Sequence, residues 1–259
     1  MPDYLTELFR LNGKKAVVTG GGGYLCGEMA RALARTGVLV AVLDLREQKA
    51  KTVSDEINRF GGKAFPVAID VTKKEDHLRA FERVIEEFGD IDILINGAGI
   101  NAPTPFFEIS LEEWHSILDS HVTGTFLACQ IFGKHMVEKR KGSIINISSA
   151  SSGPPLSKAF TYSVAKAGIK NLSQNLAREW APYHVRVNAL RPGFFPTEWS
   201  MKNFISPERE KAILGHTPMG RYGKPEELVG VVLWLSSEAA SFVTGAEIAV
   251  DGGFTCMTI

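Results

Sequence analysis

The stretch KKAVVTGGGGYLCGEMARALARTG, residues 14–37, decides the fold. It opens as an apolar run, passes through four consecutive glycines and becomes an alanine-rich amphipathic pattern. An apolar, β-branched run suits a strand covered on both faces, and the spacing after the glycines suits a helix. A glycine run at such a junction lets backbone amides approach an anion, because no Cβ stands in the way. A tight turn that needs only positive φ would use the same residues. The glycines are followed by Tyr24, Leu25 and Cys26, three residues that do carry side chains.

Similar runs recur outward from this stretch. KAVVT (15–19), VLVAVLD (38–44), AFPVAI (64–69), IDILIN (91–96), SIINIS (143–148), VRVNAL (185–190) and AEIAV (246–250) read as strands, mostly without polar alternation. Helical patterns fill the intervals at 25–36, 46–60, 74–88, 111–139, 161–181 and 224–236. Ser110 and Glu113 have the spacing of a reciprocal helix cap. Residues 192–223, rich in Pro and Gly, read as one long irregular loop, and a loop of that length in a compact domain is usually functional, here a lid over substrate. The expected fold is α/β: a single Rossmann-type domain over 1–259, with a doubly wound sheet of about seven parallel strands flanked by helices. A closed barrel has a similar length but eight strands.

Composition narrows the function. Lys plus Arg and Asp plus Glu both number 29, so no net charge favours nucleic acid or an anionic membrane as a partner. No stretch reaches the ~20 apolar residues of a membrane span, and the first residues lack a signal-peptide core. Cys26, Cys129 and Cys256 lie far apart without metal-ligand spacing, which suits reduced thiols in the cytoplasm and no metal.

The chemistry-bearing residues fall at strand ends. The glycine run, between a strand and a helix, has the context of a dinucleotide-binding turn, with the helix amides facing a pyrophosphate. Asp44 follows 24 residues after Gly20 and can accept from a ribose diol, which favours NAD over NADP; it can equally cap the next helix, and Arg46 leaves room for NADP. In SSASSGPPLSKAFTYSVAKAG (148–168), Tyr162 and Lys166 stand one helical turn apart, with Ser149 at the end of the fifth strand. A free phenol has a pKa of about 10, and a neighbouring ammonium favours its phenolate, so the pair suits proton exchange with a carbinol while serine holds the oxygen. A surface Tyr/Lys pair would show the same spacing.

Taken in order, the glycine loop, acidic residue, NGAG, Ser, Tyr-x-x-x-Lys and Pro-Gly resemble the short-chain dehydrogenase/reductase family over about residues 9–255. That resemblance implies a catalytic set of Ser149, Tyr162 and Lys166. It implies cofactor contacts from Thr19, Gly20, Gly22, Gly23, Tyr24 and Leu25, from Asp44, and from Asp70 and Val71. Asn96, Gly97 and Ala98 join them, as do Tyr162 and Lys166 themselves and the Pro192, Gly193 and Thr197 segment. VTGAEIAVDGGF (243–254) is similar to a C-terminal strand that packs in a homotetramer.

Three positions depart from the family pattern. Tyr24 and Cys26 stand where glycines are usual, so the chain must bulge or turn the tyrosine ring outward, while Cys26 reads as a packing residue. Gly97 replaces a second asparagine. His121, in LDSHVTGTF (118–126), stands where many members have an asparagine in the proton relay; it either takes over that relay, since imidazole donates and accepts, or satisfies a helix kink.

Arg191, before Pro192, has a fork that can grip a substrate carboxylate, or else forms an internal salt bridge to Glu198 or Glu179. Phe194 lies beside it on the substrate side, and Lys158, Trp199, His216 and Arg221 flank the same pocket. Within the family the chain is most similar to sugar-acid and polyol enzymes of the gluconate 5-dehydrogenase or fructuronate-reducing mannonate oxidoreductase type. The alternatives are a 3-oxoacyl-carrier-protein reductase and a non-catalytic dinucleotide sensor.

Overall fold

The computed structural model describes residues 3–257. Seven strands, β1 (Lys15–Thr19), β2 (Leu39–Asp44), β3 (Lys63–Ala68), β4 (Ile93–Asn96), β5 (Gly142–Ile147), β6 (Val185–Pro192) and β7 (Glu247–Val250), form one sheet in the order 3-2-1-4-5-6-7. Every neighbouring pair is parallel. The helices are α1 (Tyr4–Leu8), α2 (Tyr24–Arg35), α3 (Glu47–Arg59), α4 (Lys74–Phe88), α5 (Leu111–Leu118), α6 (Gly124–Lys139), α7 (Phe160–Trp180), α8 (Glu198–Phe204), α9 (Pro207–Gly215) and α10 (Val229–Ser236).

The unbroken apolar runs are explained by two cores. Ala16, Val18, Val40, Val42, Ile93 and Ile95 face α2, α3 and α10 through Met29, Leu33, Ile57, Val232 and Leu235. Their neighbours Val17, Ala41, Leu43, Leu94 and Ile144 face the other way, onto Val84 of α4, Phe132 and Met136 of α6 and Ala177 of α7. Each fully buried aliphatic side chain contributes roughly 1.5–3 kcal/mol. Strand order reverses direction between β1 and β4, where Thr19 lies opposite Asn96. A crevice opens there because the connections from β1 and β4 leave to opposite sides.

Three expectations need correction. Residues 192–223 are not one irregular loop, since α8 and α9 lie within them. Thr197 caps α8, its Oγ1 accepting from the Ser200 amide at 3.1 Å while the Ser200 hydroxyl accepts from the Thr197 amide at 2.8 Å. Ser206 caps α9, with Pro207 at its first position. Residues 111–139 are not one uniform helix, because a π-helical turn, Asp119–Thr123, joins α5 to α6. The cap at Ser110 is one-sided: its Oγ accepts from the Glu113 amide at 3.1 Å, but the Glu113 carboxylate accepts from Thr104 Oγ1 at 2.7 Å instead of reaching back.

Candidate active site

The crevice is lined by Gly20 and Gly23 from the first loop, Asp44, Leu45 and Arg46 after β2, Asp70 and Val71 after β3, and Gly97, Ala98 and Gly99 after β4. The loop is built on backbone proximity. Gly20 has φ +66°, and a Cβ there would lie 2.9 Å from the Ala98 backbone. Gly22 turns back to the second strand, its amide donating to Asp44 Oδ2 at 3.2 Å. Gly23 is the N-cap of α2 and brings no side chain to the cap, so the first-turn amides of Tyr24, Leu25 and Cys26 have no partner within the helix. Tyr24 begins the helix with its side chain half-exposed, the outward alternative. Leu25 packs on the core. Cys26 is buried against Gly97, where any Cβ would strike its sulfur, and burial pushes its thiol up to about 12.

The acidic residues are held by the chain itself. Asp44 is 7% exposed, with Oδ1 accepting from the Arg46 amide at 2.9 Å. Asp70 accepts from Thr72 Oγ1 at 2.7 Å, and this bond, against burial, holds its carboxyl below the usual range. Thr19 and Asn96 lie beneath the floor. Thr19 Oγ1 accepts from the Gly97 amide at 3.2 Å. Asn96 donates to Asn146 Oδ1 at 2.8 Å, Asn146 donates to Ser173 Oγ at 2.9 Å, and the chain of bonds ties β4 and β5 to α7.

That tie positions the central cluster. Ser149 follows β5 and opens a short 3-10 turn, its Oγ accepting from the Ser151 amide at 3.2 Å and the Ser151 hydroxyl at 3.1 Å. With both acceptor positions taken, its own proton is left to donate toward Tyr162 and the cavity. Tyr162 and Lys166 share one face of α7, and Lys166 Nζ lies 5.4 Å from the Tyr162 ring centroid. Lys166 is buried and donates to the Ile147 carbonyl at 2.6 Å. Burial, opposed by the Cys26 thiol, lowers its ammonium to about 8. Burial raises the Tyr162 phenol, with the Ser149 hydroxyl acting against it.

His121 comes from the π turn and is buried beside this pair, Nε2 lying 2.8 Å from the Ile100 carbonyl. A carbonyl only accepts, so Nε2 carries the proton and Nδ1 is the acceptor. Nδ1 is buried with no partner among the described residues. Burial, then the nearby Lys166 charge, hold the ring down to about 3, against the Ile100 bond. Gly99 makes room, because a side chain there would strike the imidazole.

A second cavity is lined by Ser149, Tyr162, Phe194 and residues from α8 and α9. Gly193 is fixed by its amide bond to the Val250 carbonyl at 3.0 Å. Arg191 does not line this cavity. Its Nη1 donates to Glu247 Oε2 at 3.0 Å and its Nη2 to Thr255 Oγ1 at 2.9 Å. The internal salt bridge therefore exists, with Glu247 on β7 as partner in place of Glu198 or Glu179. Lys158 lines the cavity. His216 packs on Phe254, ring centroids 4.8 Å apart. Arg221 pairs with Glu227 at 2.6 Å. The Trp199 side chain lies outside those described.

Sequence reasoning missed Glu247. It accepts from Ser148 at 3.0 Å and Ser152 at 2.7 Å, and so anchors the turn that carries Ser149. Its only local sign was a carboxylate in an otherwise apolar strand. Also missed were Asn101, Ser151, Ser200 and Arg209, which reach the cavity from loops and from α8 and α9.

A family model described as enoyl-(acyl carrier protein) reductase matches residues 25–255. An uncharacterized oxidoreductase of Bacillus subtilis is 42% identical, covering 94% of this chain and 95% of that protein. A D-threitol dehydrogenase of Mycolicibacterium smegmatis is 36% identical over 95% of each. The crystal structure of a gluconate 5-dehydrogenase from Burkholderia cenocepacia, in complex with NADP and tartrate, superposes with a TM-score of 0.93 at 31% identity, covering 98% of this chain and 100% of that one.

Proposed function

The chain belongs to the short-chain dehydrogenase/reductase family, whose members act on CH–OH groups, and we propose that this one interconverts a ketone and a secondary alcohol on a sugar acid or polyol, using NAD(H). The observation that carries this reading is the convergence of Ser149, Tyr162 and Lys166 beside the switch-point crevice. The D-threitol and gluconate enzymes among the relatives support a polyol or sugar-acid substrate.

The crevice suits a nicotinamide dinucleotide. Uncapped amides of α2 and the close approach at Gly20 fit a pyrophosphate, and the Asp44 carboxylate fits a ribose diol. Gly20, Gly23, Tyr24, Leu25, Asp44, Asp70, Val71, Gly97, Ala98, Gly193 and Thr197 would hold it, with Thr19, Gly22, Asn96 and Pro192 shaping the walls behind. When bound, the cofactor supplies the hydride acceptor or donor. Asp44 would repel a 2′-phosphate, which supports NAD, whereas the gluconate enzyme's complex holds NADP.

The remaining chemistry is the chain's own. Ser149 donates to the substrate oxygen. Tyr162 gives that oxygen a proton in reduction and takes it back in oxidation. Lys166, anchored at Ile147, offers its other protons toward Tyr162 and so stabilises the phenolate that forms. His121, neutral and with a free Nδ1 acceptor, would hold a water beside the pair through which the proton passes to solvent. We place the enzyme in the cytoplasm as a homotetramer. Exposed Phe106, Phe107 and Phe160 on one patch support burial against another copy, and sedimentation as an active monomer would exclude it.

A second reading is a 3-oxoacyl-carrier-protein reductase, favoured by a relative of that name from Aquifex aeolicus that is 38% identical over 94% of this chain. A screen of NADH and NADPH oxidation against keto sugars, keto sugar acids and a 3-oxoacyl thioester separates the two. The proposal predicts turnover on the sugars, and turnover on the thioester alone would replace it.

A further inference from the structure

Among the described residues, the lining of the substrate cavity includes two cations and no carboxylate. Lys158 and Arg209 line it, together with the polar groups of Asn101, Ser149, Ser151 and Ser200. Neither cation has a carboxylate within 4.0 Å among the described residues. Arg209, on α9, donates instead to neutral groups, Nη1 to Ser157 Oγ at 2.8 Å and Nη2 to the Ser157 carbonyl at 3.0 Å. Its charge is therefore uncompensated by its bonds. Lys158 follows Ser157 directly and sits at φ +59°, in the left-handed region that a lysine rarely adopts. Backbone strain of this kind collects at ligand sites, where something other than local preference fixes the residue. The Arg209 bonds to Ser157 tie the loop that carries Lys158 to α9 beside the cavity.

We propose that Lys158 and Arg209 form a carboxylate clamp that selects anionic substrates, sugar acids over neutral polyols, with the Arg209–Ser157 contact closing α9 over the bound acid. This rests on the reading of the cavity as the substrate site. Arg191, committed to Glu247, takes no part. Two cations that line the cavity and are linked through Ser157 would attract a single carboxylate, leaving the reacting carbon free to approach Ser149 and Tyr162. An uncharged substrate gains nothing from either charge.

Calorimetric titration of the protein saturated with NADH, using D-gluconate as probe, tests the clamp apart from turnover. Wild-type protein should bind gluconate, Lys158→Met and Arg209→Gln should each weaken binding about tenfold or more, and Arg209→Lys should recover much of the loss. NADH affinity should stay the same in all of them. No gluconate binding by the wild type, or equal binding by the charge-removing variants, overturns the clamp. So does an Arg209→Lys variant as impaired as Arg209→Gln, since that result assigns Arg209 only the contact with Ser157. Should the clamp behave as expected while no keto sugar is reduced, the catalytic reading fails and the clamp stands.

Discussion

The rings of His121 and Tyr162 lie 5.2 Å apart, centroid to centroid, and nearly perpendicular at 79°. The contact places an imidazole against the phenol proposed to exchange the proton. With burial and then Lys166 holding that imidazole at about 3, it stays neutral over the whole working range. Lys166 is the group at this site that changes charge near neutrality, at about 8.

The sign of the pH dependence follows. A lysine lowered to about 8 is cationic below that pH and loses its charge as pH rises through it. Carbonyl reduction uses the cation and the protonated phenol, so its kcat/KM should be level from pH 6 to near 7 and fall through about 8. No inflection should arise from His121. A wild-type inflection near 6.5 that vanishes in His121→Asn would contradict this. His121→Leu should lower kcat about tenfold or more through loss of the relay, while His121→Asn, which still donates and accepts, should lose less.

Asp44 should govern cofactor choice. Asp44→Ala removes the charge that repels a 2′-phosphate, so the ratio of kcat/KM for NADH over NADPH should shrink. The same change strips the Gly22 and Arg46 amides of their acceptor, so a modest rise in KM for both cofactors accompanies it. A wild-type enzyme that uses NADPH as well as NADH would point instead to Arg46, whose side chain is exposed at the groove mouth.

Arg191→Ala should act on stability before specificity. It removes a cation from Glu247, whose side chain is only 9% exposed, although Lys170 remains 3.3 Å away. Loss of a charge-assisted bond of this kind costs about 1–3 kcal/mol, readable as a lowered midpoint in urea. Rates on acidic and neutral substrates should fall together, because the turn that carries Ser149 is anchored through Glu247. A selective loss on acids would return Arg191 to the substrate site.

Much of this was legible in the chain because the signals were local. Strands buried on both faces read as unbroken apolar runs, and the Tyr162–Lys166 spacing and the glycine turn are contained within single segments. What escaped was either tertiary or masked by composition. Glu247 lies 56 residues from Arg191, and only the β6–β7 pairing brings them together. The π turn at 119–123 leaves no local mark. Residues 192–223 looked irregular because Pro and Gly are frequent there, yet the caps at Thr197 and at Ser206–Pro207 were start signals for two short helices.

The central claim is that the Tyr162 phenol moves the proton. Single-turnover reduction of a keto sugar acid by Tyr162→Phe, with cofactor binding followed separately, tests it most directly. The account predicts a fall of about 100-fold or more in the rate, as for loss of a general acid, with NADH affinity within a few-fold of wild type. A Tyr162→Phe variant that turns over at near the wild-type rate would contradict it.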